Sequence, residues 1–243
     1  MTDTSPDKKP DTWSAYDGPL KGRRILITSG PTEEPLDPVR MLTNRSSGKM
    51  GRELALAMRN AGAKVIVMLG PNAERVPSSV TYRDVRTADE MLQGCLDNLP
   101  VDAVICAAAV CDWKLRTPAI QKMKKGQEDT LTLTFEKTPD ILATLSKPGP
   151  DRPTVVLGFA AETGDLLRQA REKLARKGCD GVLANDVSGG AVFGADDSHL
   201  WLITPEGETD LGAGPKKDLA ERIVPILAAM LDTRNPINGQ NDE

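Results

Sequence analysis

Small, polar and basic residues are grouped in the stretch Asn44-Arg-Ser-Ser-Gly-Lys-Met-Gly51, just before a helical pattern begins. Amides at the start of a helix can hold a phosphate or a carboxylate, and Ser46, Ser47 and Gly48 allow such a group to approach closely. The same residues are equally consistent with an ordinary serine N-cap followed by a glycine that permits tight packing. The residue types alone leave both interpretations open.

A second candidate is a basic segment, residues 114–127, that follows a strongly apolar strand pattern. It contains Lys114, Arg116, Lys122, Lys124 and Lys125. A mobile basic flap over a strand end can neutralise a polyphosphate during a reaction. The alternative is a solvated loop, which is what most runs of charge are. We refer to residues 114–127 as the flap.

Three further polar residues face similar alternatives. Asp112 directly follows the apolar strand, where a carboxylate suits ribose hydroxyls, a nucleobase amine or Mg²⁺, or simply begins a turn. Lys173 and Lys177 lie four residues apart on one predicted helix. A solvated helix face is the default interpretation for these lysines, and a Glu172–Arg176 pair at i,i+4 spacing supports it.

Several other kinds of site are excluded. A dinucleotide fingerprint requires three spaced glycines after the first strand, and only Gly30 stands there. A P-loop fails because Thr43 and Met50 occupy the positions of its first glycine and its Ser/Thr. His199 is the only histidine, so a Ser-His-Asp triad or a His-rich metal site is not expected, and we interpret it as structural.

Composition narrows the class of protein further. The 243 residues carry a formal net charge of −4, which argues against general nucleic-acid binding but permits a local basic pocket. The longest apolar run, 103–111, is far shorter than the ~20 residues of a membrane helix. No secretory signal opens the chain, and the four cysteines lack Cys-x-x-Cys spacing, which favours free thiols in the cytoplasm.

The elements that would position these residues alternate between strand and helix. Strands are predicted at 24–28, 64–69, 80–85, 101–107, 155–159 and 181–184, with helices at 50–61, 88–99, 139–145, 163–177 and 216–231. Thr163 is expected to cap the fourth helix and Pro139 to open the third. Residues 29–47 read as a long functional loop. This alternation predicts an α/β protein with a Rossmann-like, doubly wound, mostly parallel sheet.

We expect one domain at residues 21–231, preceded by a flexible polar leader at 1–20 and followed by a polar tail at 232–243. A β hairpin is predicted at 200–211, and residues 131–136 alternate as a half-exposed strand or a hairpin arm would. Either edge offers a place for dimerisation across a two-fold axis.

Taken together, the segments resemble the phosphopantothenate–cysteine ligase family of coenzyme A biosynthesis. The matching motifs occur in the family's order and span about residues 20–231: Ser29-Gly-Pro-Thr-Glu-Glu-Pro-Leu-Asp-Pro-Val-Arg40, Asn44 with Ser46-Ser-Gly-Lys-Met-Gly51, Ala107-Ala-Ala-Val-Cys-Asp112, Lys122-Met-Lys-Lys125, Thr138-Pro-Asp-Ile141, Gly158-Phe-Ala-Ala-Glu-Thr163 and Ala184-Asn-Asp-Val187. Trp113 stands where the family usually has tyrosine, and Ile120-Gln121 replaces a frequent Pro-Glu before the flap lysine.

The resemblance implies a homodimeric, Mg²⁺-dependent ligase that uses CTP, as bacterial members do. The carboxylate of 4′-phosphopantothenate would attack the α-phosphate of CTP, giving an acyl-cytidylate and pyrophosphate. The amine of L-cysteine would then displace CMP. No flavin is expected, because the flavin-dependent decarboxylase that precedes this domain in many bacteria has no counterpart in the short leader. The chain is therefore expected to be either a stand-alone ligase or a domain excised from such a fused protein.

The resemblance also implies roles for individual residues. Asn44 and Lys122 would be catalytic, contacting the reacting carboxylate and the phosphates. Asn44 with Ser46, Ser47 and Gly48 would bind phosphopantothenate. Nucleotide contacts would come from Cys106, Ala107, Ala108, Asp112, Lys122, Pro139, Asp140, Ile141, Leu142, Phe159, Lys173 and Lys177. The ligands of the magnesium ion are not assigned.

Two other functions remain as alternatives. A short-chain-type NAD(P)-dependent reductase shares the sheet, although neither Tyr16 nor Tyr82 has the lysine four residues later that such enzymes use. A non-catalytic nucleotide-binding regulator would bind CTP without turnover.

Overall fold

The protein is an α/β structure with twelve strands and five helices in its described part. A computed structural model describes residues 16–125, 129–162, 164–186 and 195–234. The strands are β1 (Arg24–Ser29), β2 (Glu33–Asp37), β3 (Arg40–Thr43), β4 (Lys64–Leu69), β5 (Thr81–Asp84), β6 (Ala103–Cys106), β7 (Trp113–Leu115), β8 (Phe135–Lys137), β9 (Val155–Glu162), β10 (Gly181–Asp186), β11 (Asp197–Thr204) and β12 (Gly207–Pro215). The helices are α1 (Lys49–Asn60), α2 (Ala88–Leu96), α3 (Ile141–Ser146), α4 (Leu166–Lys177) and α5 (Lys216–Arg234).

Eight strands form one sheet in the order β12-β11-β10-β9-β6-β1-β4-β5. The six strands from β10 to β5 are parallel, and the β11–β12 hairpin extends one edge in antiparallel fashion. The predicted Rossmann-like sheet and its hairpin are therefore confirmed. No helix in the described ranges has the length and apolar character needed to cross a bilayer.

Helices cover both faces of the sheet because successive strand residues point to opposite sides. Ile25 and Ile27 of β1 pack in one buried cluster with α1 and α5, whereas Leu26 between them belongs to a second cluster with α2 and α3. A third cluster holds α4 against β9 and β10. The result is a three-layer arrangement whose core is almost entirely aliphatic.

Residues 29–47 are not the structureless loop that the sequence predicted. They contain an antiparallel hairpin, β2–β3, which packs beside a second small hairpin, β7–β8. Three acidic side chains, Glu33, Glu34 and Asp37, are buried in β2. The backbone N–H of Ala88 donates to Glu34 at 2.8 Å, and Asn72 donates to Glu33 at 3.1 Å. These tertiary hydrogen bonds stabilise a strand that its proline and its charges disfavour.

Element boundaries also differ from prediction at several points. The N-cap of α4 is Asp165, whose carboxylate accepts from Arg168 N–H, so Thr163, which lies outside the described residues, is not the cap. Asp140 likewise caps α3, and Pro139 precedes the helix instead of opening it. Of the strand or hairpin arm predicted at 131–136, only residues 135–136 are strand, within β8, which pairs with β7 as a hairpin.

The structure also shows where the folded domain begins and ends. Leu20 is fully buried and its N–H donates to Ala61 O at 2.9 Å, so the last residues of the expected leader pack against the end of α1. Helix α5 continues to Arg234, three residues beyond the expected end of the domain at residue 231. The rest of the leader (1–15) and of the tail (235–243) lies outside the described residues.

Candidate functional site

A broad cleft of about 1140 Å³ opens beyond the carboxyl ends of the parallel strands. The cleft lies beside β1, where the strand order reverses. The strands β4 and β5 extend the sheet on one side of β1, and β6 extends it on the other. Open α/β sheets bind ligands at such a switch point. Residues from the ends of β1, β6, β9 and β10 form its floor.

The start of α1 forms one wall of the cleft. Gly48 adopts the left-handed conformation (φ 73°), and its carbonyl accepts the first helical hydrogen bond, from Arg52 N–H at 3.0 Å. The N–H groups of residues 49–51 therefore precede the hydrogen-bonded part of the helix, and all three residues line the cleft. The serine N-cap that the sequence left open is not formed, because no side chain caps this helix.

The close approach of α1 to β1 depends on Gly51. A Cβ atom at this position would lie 2.3 Å from Ser29 Oγ. Ser29 Oγ itself donates to Gly48 O at 3.1 Å, which ties the loop to the end of β1. This packing holds the helix start against the floor of the cleft.

Asn44 joins two loops at the centre of the cleft. Its Nδ2 donates to Ala109 O at 2.9 Å. The segment after β6 is in turn held to the end of β1, because Ala108 N–H donates to Thr28 Oγ1 at 3.2 Å and Ala109 N–H to Gly30 O at 2.9 Å. A carboxamide held in this way can present hydrogen bonds to a ligand without adding charge.

Helix α4 forms the opposite wall with its lysines. Lys173 Nζ donates to Phe159 O at 2.6 Å, and Lys177 forms an ion pair with Asp140. Burial raises the pKa of Asp140, but the hydrogen bonds from Lys177 and from Ala143 N–H outweigh it, so that the pKa lies below its usual value. Asp140 is therefore ionised at neutral pH and holds Lys177 at the cleft.

Fifteen of the sixteen residues predicted for the site line this one cleft: Asn44, Ser46, Ser47, Gly48, Cys106, Ala107, Ala108, Asp112, Pro139, Asp140, Ile141, Leu142, Phe159, Lys173 and Lys177. The exception is Lys122 of the flap, which is not among the lining residues. The flap also begins later than predicted, because Lys114 belongs to β7 and pairs with Asp89 at 2.7 Å.

Sequence reasoning missed five cationic residues that also line the cleft: Arg45, Lys49, Lys137, Arg176 and Lys216. Arg176 could have been predicted from its spacing, because residues three and four positions after Lys173 lie on the same helix face as that lysine, and these are Arg176 and Lys177. The i,i+4 spacing instead predicts an ion pair between Arg176 and Glu172, but in the structure Glu172 pairs with Arg168 at 2.8 Å. Lys216 begins α5, far along the chain, and no local pattern marks it.

The cleft is strongly basic. Seven cationic side chains line it, against the carboxylates of Asp112 and Asp140 among the described residues. The thiol of Cys106 at its floor is not a nucleophile at neutral pH, because burial raises its pKa well above the usual value. His199 lies outside the cleft on β11 and pairs with Asp210 at 2.7 Å. This arrangement suits a ligand with several negative charges.

The described residues do not form a resident metal site. Within the parts of the chain that the structure describes, no three His, Cys, Asp or Glu side chains are grouped closely enough to hold an ion. Mg²⁺ commonly keeps several waters and binds through substrate phosphates with few carboxylates. The donor set of the cleft fits an ion carried on a triphosphate and does not fit a cage made by the protein.

Comparison with known proteins identifies the fold family. The DNA/pantothenate metabolism flavoprotein C-terminal domain family matches residues 20–231. The chain belongs to this family. Membership confirms the resemblance predicted from the motifs.

Several bacterial relatives are longer than this chain, and the matched region makes up about half of each. The coenzyme A biosynthesis bifunctional protein CoaBC of Vibrio cholerae is 43% identical over 211 residues, covering 86% of this chain and 53% of that protein. CoaBC of Bacillus subtilis is 39% identical over 216 residues, covering 87% and 52%. The crystal structure of the C-terminal domain of a CoaBC protein superimposes with a TM-score of 0.73 at 33% identity, covering 89% of this chain and all of that domain. The chain thus spans about half the length of the curated relatives it matches.

Proposed function

We propose that the protein is the ligase of coenzyme A biosynthesis that joins 4′-phosphopantothenate to L-cysteine. In the first step the substrate carboxylate attacks the α-phosphorus of CTP and expels pyrophosphate, giving an acyl-cytidylate. In the second, the cysteine amine attacks the acyl carbon and displaces CMP, forming the amide. Support comes from family membership and from the names of the relatives, which are coenzyme A biosynthesis proteins.

The observation that carries the proposal is the charge of the cleft. Seven cationic side chains meet there in a chain whose formal net charge is −4. The substrates bring a triphosphate, a phosphate and a carboxylate to one place, and only a concentrated positive site offsets their mutual repulsion. A nicotinamide cofactor would not require a surplus of this size.

The geometry suggests that the two walls of the cleft bind different substrates. Asn44, anchored to Ala109, would donate a hydrogen bond to the reacting carboxylate and to the mixed anhydride. The start of α1, with Ser46, Ser47 and Gly48, would hold the phosphate of phosphopantothenate. The nucleotide would lie along the other wall, over Phe159 and the segment 139–142, with Lys173 and Lys177 on its phosphates.

Lys122 would act from the flap as charge develops on the departing pyrophosphate. Since it does not line the cleft, this role requires its long side chain to extend from the flap to the phosphates once the nucleotide is bound. A magnesium ion bound to the triphosphate would supply further charge neutralisation.

A homodimer is part of the proposal. Large hydrophobic side chains are exposed on the two small hairpins and the flap, at Val39, Met41, Trp113, Ile120 and Leu131. Exposed apolar side chains of this size on neighbouring elements favour a protein interface. They favour the region around residues 131–136, and not the β11–β12 hairpin, as the dimer contact.

The test is pyrophosphate release with 4′-phosphopantothenate, L-cysteine, Mg²⁺ and each of CTP, ATP, GTP and UTP. We expect CTP to be preferred and pyrophosphate and CMP to appear in equal amounts. Asn44→Ala should lower turnover about 10²–10³-fold. Asn98→Ala is the matched control, because Asn98 also donates to a backbone carbonyl, Gly94 O at 2.8 Å, but lies outside the cleft.

The other outcomes identify the alternatives. Saturable CTP binding without turnover would indicate a nucleotide-binding regulator. Substrate-dependent oxidation of NADPH would indicate a reductase. Absence of pyrophosphate with all four nucleotides would refute the ligase.

A further inference from the structure

Asp37 is a buried carboxylate between the hairpin β2–β3 and the flap. Its side chain is wholly inaccessible to solvent. Oδ1 accepts hydrogen bonds from the backbone N–H groups of Val39 and Arg40, both at 2.8 Å. These two bonds belong to the turn of the hairpin and lie within four residues of sequence.

The other oxygen of the same carboxylate faces the flap. Oδ2 accepts from the N–H of Met123 at 3.1 Å and from Arg40 Nη1 at 3.2 Å. Arg40 Nη1 also donates to Met123 O at 3.2 Å, so both polar groups of Met123 are bound to the hairpin. A further bond runs from Ala119 N–H to Leu36 O at 2.9 Å. Asp37, Arg40 and Leu36 thus hold the flap on both sides of Lys122, and we call them the flap anchor.

A buried charge is costly unless donors surround it, and here four donors meet one carboxylate. Burial raises the pKa of Asp37, but the hydrogen bonds from Val39, Met123 and Arg40 together lower it below the usual value. The group is ionised at neutral pH. The turn alone would need only Oδ1, so the second set of bonds points to a role outside the hairpin.

We propose that Asp37 is a positioning residue, which holds the flap through the Met123 peptide so that Lys122 is presented in one place. The inference rests on the proposed function, in which Lys122 assists the departure of pyrophosphate. A charge that acts only as the bond breaks must be positioned in advance, and a displacement of about 1 Å can cost about 10²-fold in rate. Asp37 itself contacts no substrate in this scheme.

The substitution Asp37→Asn separates the two sets of bonds. The amide oxygen remains on the side of Val39 and Arg40, where two backbone N–H groups require an acceptor. The NH₂ group then faces Met123 N–H and the Arg40 guanidinium, so donors oppose donors on the flap side only. Asp97→Asn is the matched control, since Asp97 also accepts from an arginine and from an amide side chain, at 2.7 Å each, but lies directly after α2 and away from the flap.

The first readout is amide hydrogen exchange of the substrate-free protein over residues 116–125. We expect Ala119 and Met123 to exchange at least roughly tenfold faster in Asp37→Asn, the scale of losing a hydrogen bond to a charged group, and to be unchanged in Asp97→Asn. Because hydrogen exchange does not depend on turnover, it tests whether Asp37 holds the flap even if the ligase proposal fails. Unchanged exchange would overturn the inference.

The second readout is kinetic. Asp37→Asn should lower kcat about 10–10²-fold and change the KM for phosphopantothenate little. In Asp37→Asn/Lys122→Gln, the rate should match that of Lys122→Gln alone, because the anchor acts only through that lysine. If the double variant instead loses rate by the product of the two single-variant factors, the link to Lys122 is overturned. If Asp37→Asn does not fold, Arg40→Met, which removes a half-exposed side chain, must itself accelerate exchange at Met123, or the anchor is refuted.

Discussion

Replacing Gly51 by alanine is expected to push α1 away from β1. The new Cβ would lie 2.3 Å from Ser29 Oγ and 2.5 Å from Ser29 Cβ, about 1 Å short of the 3.4 Å at which ordinary contact begins. Ser29 sits at the end of a central strand and is fully buried, so it cannot yield. The helix must therefore move, and the Ser29–Gly48 hydrogen bond of 3.1 Å must lengthen or break.

The magnitude follows from opposing effects. Overpacking in a dense interior costs about 1–3 kcal/mol, and the lost hydrogen bond adds about 1 kcal/mol. Alanine regains up to about 1 kcal/mol through its helix propensity. The net destabilisation is then about 1–3 kcal/mol, which for a chain of this size lowers Tm by roughly 2–12 °C.

Thermal and urea unfolding of Gly51→Ala measure this directly. Gly94→Ala is the control, because it also places an alanine in a helix but its one close contact, Met68 Sδ at 2.6 Å, belongs to a long and flexible side chain. Ser29→Gly should relieve the clash, so the double-mutant cycle should show a favourable coupling of about 1 kcal/mol or more. A Gly51→Ala protein that melts at or above the parent temperature would refute the reasoning.

Three more outcomes can be measured independently. Lys122→Gln should reduce turnover about 10²–10³-fold without changing Tm, and an equal rate would make the flap an ordinary solvated loop. The lowered pKa of Asp140 means that its ionised form stabilises the fold above about pH 4 and that this stabilisation is lost as pH falls through the lower folded-state pKa. The Tm difference between parent and Asp140→Asn should therefore shrink on acidification, and a gap independent of pH would contradict the assignment. Burial raises the pKa of Cys95 to about 12 and that of Cys106 well above normal, so iodoacetamide at pH 8 should label both far more slowly in the native than in the unfolded protein.

The parallel sheet was predictable because its strands are buried on both faces and read as apolar runs. Short apolar runs such as Ile25–Ile27 and 103–107 are typical of such strands. The polar residues at the ends of these runs then lie at one edge of the sheet by topology alone. Most of the candidate site could for this reason be predicted from the sequence.

The hairpin β2–β3 could not be predicted by the same reasoning. Its sequence, Glu33-Glu-Pro-Leu-Asp37, has charges and a proline where a strand usually has β-branched residues. The strand forms because Ala88 N–H, Asn72 and the flap supply donors for its carboxylates, and those partners are 39 to 86 residues away. Lys216 escaped notice for a similar reason, since it reaches the cleft only when α5 packs on the finished sheet.

The cleft is assembled from points scattered between Thr28 and Lys216, almost the whole length of the folded body. No contiguous half of the chain contains both walls, so a truncated fragment cannot form the cleft. Ligand affinity in a deletion series should accordingly vanish in one step and not decline by degrees. Ligand binding in this cleft would therefore require the whole folded body to be intact.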